Sequence, residues 1–163
     1  MEEFKLKLRI SPSDKGFINI IGNDKYNQIK ANVFKRDNYS CKGCSYKPLD
    51  ESRVNSALFC HVIDINNEFP EESECIILCK ACHSTQHVDI SLQQGWVQLV
   101  NSTWSQKALI ESCRINTIYN TVKEDNTRYL KMSVEEFIDK FKNDLISDKA
   151  KIVFTNKFEW GDL

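Results

Sequence analysis

Apolar and basic residues alternate at the start of the chain. Phe4, Leu6, Leu8 and Ile10 are separated by Lys5, Lys7 and Arg9, the period-two pattern of a strand with one face in water. Ser11 to Gly16, with Pro12, reads as a turn, and Phe17 to Ile21 as a short second strand. From Asp24 to Asp37 the spacing becomes helical: Tyr26, Ile29, Val33 and Phe34 share a face, with Asp24 as N-cap. Asn38-Tyr39-Ser40 ends that helix. Ser45 to Asn55 is polar and loop-like, Ala57 to Ile65 reads as a strand, and Asn66 to Glu74 as a loop. Ile76-Ile77-Leu78 is a short apolar run, and His83 to Val88 starts a short helix. Gly95 to Val100 reads as a strand, followed by a helix capped by Ser102 or Thr103, with Ala108, Leu109 and Cys113 inward and Ile118 continuing the pattern. After a loop at Lys123 to Thr127, Ser133 and Glu136 form a capping box for an amphipathic helix through Val134, Phe137, Ile138, Phe141 and Leu145. The last residues, KIVFTNKFEWGDL, are aromatic and acidic at their end.

This order of strands and helices predicts an α+β fold. At 163 residues the chain is one domain, or one domain with an elaborated terminus. Its 41% hydrophobic and 28% charged content is that of a globular protein, and a net charge of −1 gives no global basic field for nucleic acid. No run approaches the roughly 20 apolar residues of a membrane span. The opening MEEFKLKLRI has no apolar core of a signal peptide, so the expectation is a cytoplasmic protein without direct membrane insertion.

The cysteines narrow the chemistry. Seven is an odd number, and four of them form the pairs Cys41-Lys42-Gly43-Cys44 and Cys79-Lys80-Ala81-Cys82. Thiolates three apart across a tight turn supply two corners of a tetrahedron, and two such knuckles complete a closed, structural Zn²⁺ site. Gly43 is expected to relieve backbone strain in the first knuckle. A thioredoxin-like redox pair would need a βαβ setting, which the pattern lacks. Cys60, Cys75 and Cys113 sit among apolar neighbours and read as core thiols.

All three histidines, His61, His83 and His87, fall near the knuckles. His83 and His87 are four apart, which on a continuous helix puts both on one face. With a ligand from a facing strand they would make an open metal site. Their other reading is packing and hydrogen bonding around the zinc fold. The strings VFKRDNYSCKGC (Val33 to Cys44) and IILCKACHSTQH (Ile76 to His87) resemble the opening and the closing helix of HNH domains of the McrA type. That resemblance implies a zinc-bound, HNH-like (ββα-metal) domain. It further implies a strand with a metal ligand followed by a histidine base, and one or two metal-binding histidines on the last helix. Two registers are open. Either His61 is the base and its preceding ligand has become Cys60, or His61-Val62-Ile63-Asp64 matches the family's His-His-Ile-Asp and the base has become Val62. The asparagine that the family places before the second knuckle falls on Cys75, with Asn66 and Asn67 nearby.

A second resemblance covers more of the chain. FKLKLRISPS, VFKRDNYSCKGC, the second knuckle and GWVQLVNSTWSQKALIESC (Gly95 to Cys113) occur in an order similar to the IcmJ/DotN family of the Dot/Icm type IVB secretion system. This implies a degenerate HNH-like zinc fold without nuclease chemistry that binds the tail of the DotL-like coupling-protein ATPase at the inner membrane. The domain expectations are N-terminal strands at 1–24, an HNH-like Cys₄ zinc domain at 25–92, and a strand plus helical C-terminal extension at 93–163. The favoured function is a non-catalytic zinc-stabilised adaptor of a secretion or conjugation coupling complex, recruited to the membrane through its partner. The alternative is a metal-dependent HNH endonuclease using His61, His83 and His87 with a second divalent metal. A third is a DNA-binding zinc module that uses the basic cluster Lys25, Lys30, Lys35, Arg36, Lys42 and Lys47, which otherwise reads as a solvated face. Trp96, Trp104 and Trp160 are either partner anchors or core.

Overall fold

The structure is a computed structural model that describes residues 4–10, 21–63, 71–119, 128–129 and 150–160. The turn expected at 11–16, residues 17–20 of the second strand, the loop at 123–127 and the helix at 133–145 lie outside those residues, as do Asp64, Asn66 and Asn67.

Helix α1 spans Asn23–Arg36 and buries Ile29, Val33 and Phe34, the stripe that its sequence spacing predicts. Its cap differs from expectation. Gly22, at φ 82°, is the N-cap and makes no side-chain cap bond, while Asp24 lies in the first turn, where its charge favours the helix dipole. The helix ends at Arg36 with Asp37 as C-cap, just before the Asn38-Tyr39-Ser40 break that the sequence predicts. Asn38 and Tyr39 both adopt left-handed φ, 54° and 51°. The Tyr39 amide bonds the Phe34 carbonyl at 2.9 Å and the Asn38 amide the Lys35 carbonyl at 3.1 Å, a Schellman-type termination that turns the chain into the first knuckle.

The polar stretch expected as loop contains a 3₁₀ turn at Glu51–Arg53, capped by Asp50, and a single helical turn α2 at Val54–Ala57. Strands β1 (Leu58–Val62) and β2 (Cys75–Cys79) pair antiparallel from Leu58 opposite Cys79 to Val62 opposite Cys75. Short helices α3 (Lys80–Ser84) and α4 (Val88–Gln93) follow. A second sheet has β3 (Val97–Asn101) in the middle, flanked antiparallel by β4 (Arg128–Tyr129) and β5 (Ala150–Phe154). Helix α5 (Gln106–Tyr119) leads out of β3. Its cap is Ser105 rather than Ser102 or Thr103: the Ala108 amide donates to Ser105 Oγ at 3.1 Å. The mixed α+β class is therefore as expected, with small antiparallel sheets.

The tail to which the sequence assigned no element supplies β5 and part of the main core. Phe158 and Trp160 share one apolar cluster with Val33, Phe34, Leu58, Ile77 and Ile110. A smaller cluster holds Leu8, Val88, Val97, Leu99 and Ile152, and Trp96 and Phe154 pack against both. Trp160 is thus core and no free anchor, while Trp104 stays 48% exposed. Cys60 and Cys75 are buried in the core as expected, and Cys113 is half-buried. No helix among the described residues is long and apolar enough to cross a membrane.

The N-terminal segment alternates as predicted, with Lys5, Lys7 and Arg9 exposed and Leu8 buried, but it joins no sheet. It runs beside the α3–α4 turn. The Arg9 amide bonds the Thr85 carbonyl at 2.8 Å, the Val88 amide bonds the Arg9 carbonyl at 3.1 Å, and Ile10 forms an isolated bridge with His87. Gln86, fully buried, extends this seam by donating to the Lys7 carbonyl at 3.0 Å.

Candidate metal centres

The first knuckle is shaped by backbone bonds. The Cys41 amide donates to the Tyr46 carbonyl and the Ser45 amide to the Cys41 carbonyl, both at 2.8 Å. The Lys42 amide reaches the Ile77 carbonyl at 2.8 Å and so ties this knuckle to β2. Gly43 does not take the left-handed conformation expected to need glycine; Ser45 does, at φ 63°. Gly43 is required by proximity instead. A Cβ there would lie 2.8 Å from Cys82 Sγ and 3.1 Å from Leu6 Cδ1.

The second knuckle joins strand to helix. Cys79 ends β2 and is the N-cap of α3, its sulfur accepting from the Cys82 amide at 3.5 Å. The four sulfurs of Cys41, Cys44, Cys79 and Cys82 lie within 4.8 Å of one another, and all four residues are buried. A tetrahedron with Zn–S bonds of about 2.3 Å has edges of about 3.8 Å. The Cys44 and Cys79 sulfurs stand 3.7 Å apart, so the four residues fit a metal ion such as zinc. Crowding supplies the electrostatic reason for a cation. Hydrogen bonding from Cys41 pulls the Cys44 thiol far below its ordinary range, while the Cys41 and Cys44 sulfurs push Cys79 well above it. Four thiols cannot all ionise in one buried volume unless a positive ion joins them.

The end of α1 braces this centre, a role that neither Arg36 nor Asp37 showed in the sequence. Arg36 was grouped with a basic surface; it turns inward. Its Nε donates to Asp37 Oδ1 at 2.8 Å and its Nη2 to the Cys75 carbonyl. Asp37, 4% exposed, accepts the Ile77 amide at 3.0 Å. The only sequence signal was an acidic residue at the helix end, just before the knuckle. Lys30, Lys35 and Lys47 instead line a pocket of about 610 Å³ beside Phe34 and Tyr39.

The histidines form a second cluster. His61, His83 and His87 bring one ring nitrogen each within 4.8 Å of the others. Phe59 and His61 are two apart on β1 and therefore share a face. Both meet His83: Phe59 stacks on it at 5.2 Å with 4° between planes, and His61 meets it edge-on at 5.2 Å. The expectation that His83 and His87 share one helix is wrong. α3 stops at Ser84, and His87 follows the Thr85-Gln86 turn with φ −129°. The N-terminal seam folds that turn back so that the two Nε2 atoms lie 3.2 Å apart. A tetrahedron with Zn–N bonds of about 2.05 Å has edges of about 3.3 Å. This group too fits a metal ion.

No protein-family profile matches the chain, and no curated protein matches it in sequence.

A pocket of about 530 Å³ opens on His83 and His87, lined also by Tyr26, Lys30, Phe59, Lys80 and Trp96. Among the described residues its lining holds two lysines and no carboxylate. The two candidate centres share one small frame. β1 carries His61, β2 ends in Cys79, and α3 holds both Cys82 and His83, adjacent residues facing different clusters.

Proposed function

We propose that this chain is a non-hydrolytic, zinc-stabilised adaptor built on an HNH-like scaffold. Its partner on this reading is the tail of a coupling-protein ATPase in a type IV secretion or conjugation complex, which would bring it to the inner membrane. Val62 is the observation that carries the reading. His61 groups with His83 and His87 as a possible metal ligand. That favours the register in which His61-Val62 stands for the family's ligand and base. A hydrolase needs a base within hydrogen-bonding reach of its water. Val62 has no proton chemistry, is 2% exposed, and as the next strand residue lies on the opposite face from His61. Among the described residues of the pocket lining, no carboxylate takes over.

Exposed apolar side chains suit an adaptor. Tyr39, 39% exposed, lines the lysine-bearing pocket, Leu49 is fully exposed next in sequence to the lining residue Pro48, and Trp104 and Ile115 are exposed around α5. Such side chains supply the anchors of a peptide interface. The zinc-loaded chain should bind the C-terminal segment of the coupling ATPase encoded in the same genome, and Tyr39→Ser with Leu49→Ser should weaken that binding without changing the melting temperature. No measurable binding to that segment at high micromolar concentration would sink the assignment.

The histidine geometry favours one second reading, a metal-dependent phosphodiesterase. A divalent cation held by the three imidazoles would stabilise a leaving oxygen, and the 530 Å³ pocket that His83 and His87 line has room for substrate. Plasmid nicking with Mg²⁺, Mn²⁺ or Ni²⁺ that is lost in His61→Ala would replace the adaptor reading with this one.

A further inference from the structure

The cysteine centre has a neighbour from a distant part of the chain. Arg114, on α5, places Nη2 3.4 Å from Cys79 Sγ and Nη1 4.0 Å from Cys44 Sγ, one sulfur from each knuckle. Its guanidinium carbon lies 4.1 Å from the centre of the Tyr46 ring and 5.4 Å from that of Trp160. The ring face of an aromatic side chain attracts a cation, and a planar guanidinium is the group best shaped to stack there while its edge donates. Tyr46 belongs to the first knuckle, since its carbonyl accepts the Cys41 amide. Trp160 comes from the tail and is 7% exposed. The cation is therefore assembled onto the sulfurs by α5, the first knuckle and the C-terminal tail together.

Four thiolates around a dication carry a formal charge of about −2 in a buried site. One guanidinium cancels half of that excess and hydrogen-bonds the sulfurs that bear it. Outer partners of this kind tune metal centres: their loss typically changes affinity by about 10- to 100-fold.

We propose that Arg114 is the electrostatic lock of the cysteine metal centre, holding charge-neutralising donors on Cys44 and Cys79 and thereby making metal retention depend on the docking of α5 and the tail. The inference rests on the zinc reading of the four cysteines. It adds a role for Arg114 as a positioning residue that acts on the metal through the sulfurs.

The test uses the full chain loaded with zinc and follows transfer of the metal to a chromogenic chelator in the wild type, Arg114→Gln, Arg114→Lys and Trp160→Leu. Arg114→Gln is expected to release zinc about 10- to 100-fold faster, with Arg114→Lys and Trp160→Leu intermediate. In the Co²⁺-substituted protein the thiolate-to-metal charge-transfer band of Arg114→Gln should move to lower energy, because sulfur electrons no longer feel the guanidinium. That band would not move if Arg114 merely packed between aromatic rings. Release rates within about two-fold of wild type overturn the proposal, whether or not the melting temperature falls. If Arg114→Gln does not fold, Arg114→Lys decides alone: it keeps the charge but loses the two-pronged donor, and an unchanged release rate overturns the lock. A wild-type protein that takes up no zinc at all is a different result, and removes the metal reading beneath it.

Discussion

His83 lies on α3 and His87 is the N-cap residue just before α4, yet their Nε2 atoms lie 3.2 Å apart. Their juxtaposition depends on the Thr85-Gln86 turn and on the N-terminal segment pinned to it by the Arg9 and Gln86 hydrogen bonds. The expected consequence is metal uptake beyond the cysteine centre. Wild-type protein dialysed against Zn²⁺ should hold about two equivalents, and a His83→Ala/His87→Ala double variant about one. Elemental analysis of the desalted proteins measures both, and circular dichroism should show the fold unchanged.

The sequence disclosed the two clusters unequally. Cys-x-x-Cys spacing is a local signal, fixed by turn geometry, so the four cysteines could be assigned to one site without knowing the topology. The histidine cluster needs β1 to face the α3–α4 turn, and four-residue spacing gave the right neighbours for the wrong reason. Arg114 and Trp160 were invisible as parts of the site, because only tertiary packing brings residues so remote in sequence to Cys44 and Cys79. The tail shows the same limit. Ala150–Phe154 carries little alternation of its own, and its strand form comes from pairing with β3.

Zinc removal should undo the frame rather than loosen it. Both knuckles contribute to the main core, where Cys41, Cys44, Cys79 and Cys82 pack with Ile77, Ile110 and Trp160. A structural zinc of this kind contributes on the order of 10 kcal/mol, comparable to the whole stability of a domain. Incubation with a strong chelator at neutral pH should make all seven cysteines reactive to a thiol reagent and abolish cooperative thermal unfolding. Retention of a sharp melting transition after complete zinc removal would contradict this.

Gly43 predicts a sharper effect than its backbone angle suggests. A methyl group there meets Cys82 Sγ at 2.8 Å, and a sulfur held as a metal ligand has little freedom to withdraw. Gly43→Ala should cost about 1–3 kcal/mol, the range of overpacking, and weaken metal binding with it. Gly95 makes the internal contrast. It has φ 70°, and among the described residues only the side chain of Lys157 comes near its Cβ position, at 3.5 Å. Gly95→Ala should therefore cost about 1 kcal/mol from the backbone alone and leave zinc affinity unaltered. Thermal melts and competitive zinc titration on the two variants separate the causes.

Asp37 is the acceptor on which the α1–β2 joint turns. Its carboxylate receives Arg36 at 2.8 Å and the buried Ile77 amide at 3.0 Å. Replacing it with alanine leaves a guanidinium and an amide short of their acceptor. Loss of one partner of a buried pair costs about 3–5 kcal/mol, and the 27% exposure of Arg36 puts this case at the lower end. Asp37→Asn, which keeps an acceptor for Ile77, should recover part of the loss in a denaturant titration.

Gln106 joins α5 to the second sheet in a way that backbone pairing does not. Its Nε2 donates to the Ile152 carbonyl and its Oε1 accepts the Ile152 amide, both at 2.8 Å. A primary amide holds a donor NH₂ and an acceptor oxygen on one carbon, matching the N–H and C=O that a neighbouring strand would present. It therefore caps β5 at an outer edge of the described sheet, where unpaired groups invite pairing with another chain. Gln106 is 4% exposed, so water is poorly placed to replace it. Gln106→Leu keeps the bulk but strands a buried donor and a buried acceptor, at about 1–3 kcal/mol each. Gln106→Glu keeps an acceptor for the Ile152 amide and, when ionised, puts a carboxylate oxygen where the donor to the Ile152 carbonyl stood. Hydrogen exchange distinguishes the two: the Ile152 amide should exchange much faster in Gln106→Leu and stay protected in Gln106→Glu. Equal protection in both variants would mean that the Ile152 amide does not depend on this side chain.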